Sequence, residues 1–317
     1  MNIFITGING FVGSYLAKAL INNFPKARLY GLVRSNPKDL RIDQRINKKY
    51  LFKGDILDYQ RISLLIKKIK PDWVFHLAAK VSPRYVKELS ESVFEINFIG
   101  TFNLLKALKK NSPRSKIFIA STAAVYGNVS DESLPIKETL ATNAVDAYGA
   151  SKACAEILSK QYYNNFNLNI IIARTFNFLA PAGGNTFVEK NFLPQIKLIK
   201  EGKNKVFKTG DLNTCRDFLD VRDGVEAYLK LMKRGKPGEI YNICSNKGVS
   251  TKYILDLLLK KTGFKNKIKI IRDPKLVRSI DIKKSFGDNA KIISQTDWHP
   301  KISIEKTIQE LLENNGL

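Results

Sequence analysis

The chain opens on an apolar run, Asn2-Ile3-Phe4-Ile5-Thr6, that leads straight into Gly7, Gly10 and Gly13, and Phe11 to Ile21 then repeats apolar residues at helical spacing. A short continuous apolar run reads as a buried parallel strand. The glycines therefore stand at a strand-to-helix junction, the context that a dinucleotide-binding turn requires. Gly7 permits the tight turn, Gly10 lets the backbone approach a pyrophosphate, and Gly13 lets helix and strand pack closely. The N–H groups and positive dipole at the helix start then face the anion. The spacing is G-x-x-G-x-x-G, so the flanking strand and helix carry the reading more than the glycines do.

A second strand run, Arg28 to Val33, ends in Arg34-Ser35. An NAD site usually places Asp or Glu there to accept from the ribose 2′-hydroxyl. This end offers a guanidinium and a hydroxyl, which suit a 2′-phosphate. The expected cofactor is NADP(H), with Arg34 as a contact. Asp55 and Ile56, after a strand at 50–53, are placed to flank the adenine; Asp55 reads equally well as a helix N-cap.

Ile117-Phe118-Ile119-Ala120 is another buried-strand run, ending in Ser121-Thr122. Doubly wound proteins put their chemistry at such carboxyl ends. Tyr148 and Lys152 follow in a helical stretch that runs to about Asn164 and, four apart, share one helix face. An ammonium there is expected to lower the phenol from its usual value of about 10. A phenol tuned in this way acts as general acid or base. Thr122, Tyr148 and Lys152 are the catalytic candidates; Lys152 also reaches for the nicotinamide ribose.

Strand runs alternate with helical stretches through about residue 174, which argues for a Rossmann-type, doubly wound α/β sheet. A chain of 317 residues with 44% hydrophobic content buries a large core. Its net charge of +24 is scattered along the whole length without a nucleic-acid-binding signature, so no nucleic-acid partner is expected. The field instead favours anionic small molecules. The three cysteines, Cys154, Cys215 and Cys244, lack C-x-x-C spacing and read as reduced residues of a cytoplasmic protein. The two histidines, His76 and His299, form no metal pair. No signal peptide and no membrane-spanning run is recognised. Pro181-Ala182-Gly183-Gly184 is the segment expected to be most mobile.

The set TGINGFVG (6–13), HLAA (76–79), STAAVYG (121–127), YGASK (148–152), RTFN (174–177), RDFLDVRD (216–223) and YNICS (241–245) resembles the extended short-chain dehydrogenase/reductases, the NAD-dependent epimerase/dehydratase superfamily. The resemblance implies cofactor contacts from Gly7, Asn9, Gly10, Phe11, Val12, Gly13, Leu77, Ala78 and Ala79, together with Tyr148 and Lys152. It implies substrate contacts from Ser82, Thr122, Asn177, Arg216 and Arg278, the two arginines clamping a diphosphate. It implies a cofactor domain of 1–174 plus about 216–244, and a smaller α/β substrate lobe of 175–215 plus 245–317. Helices at 84–110 and 146–164 would pair two copies into a homodimer.

The distal motifs, PAGGNTFVEKNFLPQI (181–196), RDPKLVRSIDIKKSFGDNAKI (272–292) and TDWHP (296–300), are similar to the branch of GDP-mannose 4,6-dehydratases and GDP-6-deoxy-4-keto-mannose reductases. Ser279 and Asp297 depart from that branch, which usually has Pro and Gly there. Its dehydratases carry acid/base groups, including a Glu, directly after the threonine; here Ala123 and Ala124 follow Thr122 and cannot carry a proton. Reduction of a C4 ketone to a GDP-rhamnose-type product is the leading expectation. A sugar-nucleotide 4-epimerase is the alternative, a 4,6-dehydratase or a non-catalytic NADP-binding protein less favoured still.

Overall fold

The computed structural model describes residues 1–36, 43–81, 90–184, 186–276 and 282–317. Six strands come first: β1 (Asn2–Thr6), β2 (Arg28–Val33), β3 (Leu51–Lys53), β4 (Trp73–His76), β5 (Lys116–Thr122) and β6 (Asn169–Thr175). Then β7 (Asn177–Leu179), β8 (Val206–Thr209) and β9 (Cys215–Asp220) lie elsewhere, and β10 (Ile240–Ile243) returns. The resulting seven-stranded sheet has the order β10-β6-β5-β4-β1-β2-β3, every pair parallel. The order reverses between β1 and β4, so a crevice opens at their carboxyl ends, where doubly wound sheets bind ligands.

Helices cover both faces. On one side α1 (Phe11–Asn23) inserts Leu16, Ala17 and Leu20. On the other, α2 (Tyr59–Ile69) buries Ile62, Leu65, Ile66 and Ile69 at helical spacing. Asp58 caps α2 through the Arg61 N–H, while Asp55 only accepts from Leu57 N in a local turn, so the N-cap alternative for Asp55 fails. The long helix expected over 84–110 is interrupted: α3 (Ser90–Phe94), a π turn at Glu95–Ile99, then α4 (Gly100–Asn111). Residues 84–89 lie outside the described residues. A π turn adds one residue to the repeat and often marks a functional site. α5 (Ala147–Phe166) starts at Asp146, whose carboxylate accepts from Gly149 N at 2.7 Å, and stops at Asn167 with φ 53°.

A smaller lobe carries α6 (Phe187–Asn191), α7 (Leu193–Lys200), α9 (Thr251–Lys261) and α11 (Ile304–Glu313), while α8 (Val221–Arg234) packs with α1 under the main sheet and α10 (Ala290–Thr296) packs on α8 and β10, so the expected assignment of 290–296 to the lobe does not hold. Its strands are β11 (Gly248–Ser250), β12 (Lys269–Arg272) and β13 (Lys284–Ser285). They form a sheet of β11-β9-β13 with β7 also on β9, and a β12-β8 pair. The expected return of about 216–244 to the main sheet thus begins later: β9 stays with the small sheet, and only α8 and β10 go back. The 181–184 loop, expected to be mobile, is tied down. Tyr15 donates to the Ala182 carbonyl at 2.8 Å, Asn314 to Pro181 at 3.1 Å, and Gly184 N to Glu189 at 3.0 Å.

Candidate active site

The turn after β1 has the geometry that its glycines suggest. Gly7 adopts φ +75°, and a Cβ on it would stand 2.9 Å from Ala78 N. Gly10 N donates to Gly7 O at 2.9 Å, and a Cβ on Gly13 would meet that same oxygen at 2.1 Å. Gly10 caps α1 without a side chain, and no acid lies in the first turn. The helix N–H groups and their positive dipole therefore stay available to a pyrophosphate. Asn9 and Gly10 are exposed, Phe11 and Val12 half-buried. Across the crevice, Leu77 and Ala78 donate their N–H groups to the Thr6 carbonyl and hydroxyl, and Ala79 is exposed. These residues fit a nicotinamide dinucleotide.

The ribose end of that crevice is cationic. Arg34 is exposed just past β2, and Lys53 is paired level with Val33. Arg61, on α2, lays its side chain over Gly54, with Nε 3.9 Å from where a Cβ would be. Lys53 and Arg61 were not apparent from the sequence, because strand pairing sets Lys53 level with Val33 and helix packing lays Arg61 over Gly54. Ile56 is buried, its carbonyl accepting from Asn103; Asp55 is exposed beside it.

Thr122, Tyr148 and Lys152 converge at the carboxyl end of β5. Thr122 accepts from Ala124 N at 3.2 Å, which starts a 3-10 turn at Ala123–Tyr126 and fixes the hydroxyl. That hydroxyl faces the Tyr148 phenol and favours its ionised form. Lys152 is 3% exposed, and its Nζ donates to the Ala120 carbonyl at 2.7 Å. One expectation needs correction. Lys152 does not acidify Tyr148 in the protein alone: burial pushes the phenol up to about 12, and Thr122 is what pulls it down. The ammonium is engaged with Ala120 instead, and its own burial lowers it to about 8 against the opposing charge of Glu156.

A buried chain of hydrogen bonds links this cluster to the cofactor turn. Ala78 N–H donates to Thr6, whose hydroxyl meets His76 Nδ1 at 2.7 Å; His76 Nε2 meets Thr101 at 3.0 Å, and Thr101 donates to the Asn97 carbonyl at 2.6 Å. Each hydroxyl has one proton, so Thr6 donates to Nδ1 and the ring carries its hydrogen on Nε2. Desolvation, with the Lys152 charge adding to it, lowers His76 to about 3 and keeps it neutral. Asn97, in the π turn, donates to Ser151 at 3.0 Å, and Ser151 to the Tyr148 carbonyl at 2.8 Å.

The substrate candidates are less gathered. Asn177 is exposed, and its amide donates to the Asp217 carbonyl at 3.1 Å. Arg216 is partly exposed and donates to the carbonyls of Cys215 at 2.9 Å and Lys283 at 3.2 Å. Both line a cleft of about 390 Å³ whose walls add Lys190, Lys208 and Lys275. Lys190 and Lys275 lie within the distal motifs but were not singled out there, and Lys208 lies outside them, so reading the chain alone missed the three as a group. Ser82 and Arg278 lie outside the described residues.

Solved structures share this architecture. The NADPH complex of RMD from Pseudomonas aeruginosa superposes with a TM-score of 0.83 at 29% identity, covering 99% of this chain and 98% of that one. The protein is a nicotinamide-dependent enzyme of the short-chain dehydrogenase/reductase superfamily. More narrowly, the family model described as GDP-mannose 4,6 dehydratase matches residues 4–311, and the chain belongs to that family. Relatives include the GDP-6-deoxy-D-mannose reductase of Pseudomonas aeruginosa, 30% identical over 98% of this chain and 96% of its own length. The UDP-glucose 4-epimerase of Mycoplasma genitalium is 32% identical over 86% of this chain and 84% of its own length.

Proposed function

We propose that the protein reduces the C4 ketone of a nucleoside-diphosphate 4-keto-6-deoxy hexose with NADPH, GDP-4-keto-6-deoxy-mannose being the favoured substrate and GDP-rhamnose the product. The observation that carries this reading is the Thr122–Tyr148 hydroxyl pair beside Lys152, followed by Ala123 and Ala124. The two alanines leave no proton acceptor to remove a C5 hydrogen, so 4,6-dehydration lacks its base. Raised to about 12, the phenol keeps its proton at physiological pH and so has one to give.

Bound NADPH supplies the hydride. Tyr148 gives its proton to the oxygen formed at C4, Thr122 holds that oxygen by a hydrogen bond, and Lys152, on the same face of α5, reaches for the nicotinamide ribose and supports the acidity of Tyr148 once the cofactor is bound. The ketone thus gains one hydride and one proton and becomes an alcohol. Asn177, Arg216 and Arg278, with Lys190, Lys208 and Lys275 from the cleft, bind the diphosphate and its nucleoside. Arg34, with Lys53 and Arg61 nearby, selects the 2′-phosphate.

A homodimer fits the surface of α3–α5, where Phe94, Ile99 and Ile157 are 37%, 42% and 68% exposed. No helix among the described residues is long and apolar enough to cross a membrane, and the three cysteines are free. A cytoplasmic site of action agrees with those thiols.

The 4-epimerase reading retains support from the 32% identical relative. The two part on stoichiometry. With GDP-4-keto-6-deoxy-mannose, and UDP- and dTDP-linked analogues as controls, a reductase oxidises one NADPH per sugar. Interconversion of sugars without net NADPH oxidation would refute the reductase.

A further inference from the structure

Three consecutive residues at the end of β5 are each met by one residue of α5, and the helix residues lie four apart. Thr122 faces the Tyr148 phenol, the Ala120 carbonyl accepts from Lys152 Nζ at 2.7 Å, and the Ser121 hydroxyl donates to Glu156 Oε1. At that spacing Tyr148, Lys152 and Glu156 form a single stripe along the helix. Two of its three members belong to the catalytic cluster, and the third has no part in the mechanism above.

Glu156 is held unusually firmly. Arg174, from the neighbouring strand β6, donates Nε to both carboxylate oxygens at 3.1 Å and Nη2 to Oε2 at 2.7 Å. The two side chains are only 5% and 4% exposed. Arg174 is fixed in turn: Nη1 donates to the Glu138 carbonyl at 3.3 Å, and the guanidinium lies 4.7 Å over the Tyr126 ring. Such a pair gains little stability, since desolvating two ions offsets most of their attraction, and apolar residues of similar volume often do better. Its location suggests another role.

We propose that Glu156 is a positioning residue for catalysis: clamped by Arg174, it anchors Ser121 and so fixes how α5 sits on β5, which brings the hydroxyls of Thr122 and Tyr148 together and keeps a negative charge one turn from the Lys152 ammonium. The inference rests on the catalytic reading of Thr122, Tyr148 and Lys152. The charged and titratable groups around Lys152 are Tyr148 and Glu156 on its own helix, His76 on β4 and Arg174 on β6, with Tyr126 and Glu138 beyond the arginine. Of these, Glu156 is the one that opposes the loss of the ammonium's proton on burial.

Three variants test it. Ser121→Ala removes the anchor and leaves the ion pair intact; its melting temperature should stay near the parent's while kcat falls about tenfold and KM changes little. Displacements of about 1 Å cost rates of that order or more. Glu156→Gln strands the buried Arg174 and should lose both stability and rate. Glu156→Leu with Arg174→Leu removes both charges and should recover stability but not kcat, and the alkaline limb of its kcat profile should move to lower pH. Titration of Lys152 by carbon-13 lysine NMR needs no substrate. Removing Glu156 should move that titration to lower pH. Parent-like kcat in Ser121→Ala would overturn the anchoring role, and an unmoved Lys152 titration would overturn the electrostatic one. Absence of turnover in the parent would count against the catalytic reading alone, so the two failures are distinguishable.

Discussion

Gly13→Ala is the substitution whose effect follows most directly from the geometry. The added carbon would lie 2.1 Å from Gly7 O and 2.9 Å from the carbonyl carbons of Gly7 and Ile8, all backbone atoms with no side-chain rotation to relieve them. Ordinary contact begins at 3.4 Å, so α1 and the turn must separate by more than an ångström. Overpacking of this kind costs about 1–3 kcal/mol. Opening the turn also breaks the Gly10 N to Gly7 O bond, worth about 1 kcal/mol more. A combined loss of about 2–4 kcal/mol lowers the melting temperature by roughly 3–6 °C in a chain of this size. The helix N–H groups lose their aim at the same time, so NADPH should bind at least about tenfold more weakly, equivalent to about 1.4 kcal/mol. Thermal unfolding and fluorescence titration of NADPH measure the two effects. A variant within about 1 °C and about threefold of the parent would refute the close-packing argument.

Tyr148→Phe should lower kcat by about a hundredfold or more while NADPH affinity is kept, because only the proton donor is lost; stopped-flow hydride transfer together with a binding titration checks both halves. Lys152, lowered to about 8, loses its proton as pH rises through that value, so kcat/KM should fall on the alkaline side, and Lys152→Met should lose most activity together with that limb. Acid stability has two opposing contributions. His76 binds a proton when unfolded near 6.5 but only near 3 when folded, so stability falls as pH drops between those values by about 1.4 kcal/mol per unit. Burial raises Asp217 to about 6, so the folded chain takes up that proton first and gains stability between pH 6 and about 4. Urea unfolding at pH 7, 6 and 5 should therefore show a steeper acid loss in Asp217→Asn than in the parent; equal slopes would contradict the assignment.

What the sequence revealed was mostly local. The β1–turn–α1 unit could be read because apolar run, glycines and helical repeat are contiguous, and Tyr148 and Lys152 because helix periodicity alone puts them on one face. Long-range contacts were not readable. Glu156 looked like one more helix residue, since its partners Ser121 and Arg174 come from two other strands. Lys190, Lys208 and Lys275 meet at one cleft only through the small sheets, some of whose strands are two or three residues long and leave little periodic signal. The 181–184 loop looked free because of its glycines, yet its tethers come from Tyr15 and Asn314, at opposite ends of the chain. Spacing suggested a Lys152–Tyr148 partnership, but the strand carbonyl of Ala120 takes the ammonium and Thr122 takes the phenol.

The central claim is hydride delivery to a sugar carbonyl beside the Tyr148 phenol. Incubating the protein with NADPH carrying deuterium at both nicotinamide C4 positions and with GDP-4-keto-6-deoxy-mannose tests it most directly. The account predicts one deuterium at C4 of the product sugar for each NADPH oxidised, with Tyr148→Phe transferring it at least about a hundredfold more slowly. Product that forms without deuterium, or deuterium transfer undiminished in Tyr148→Phe, would contradict it.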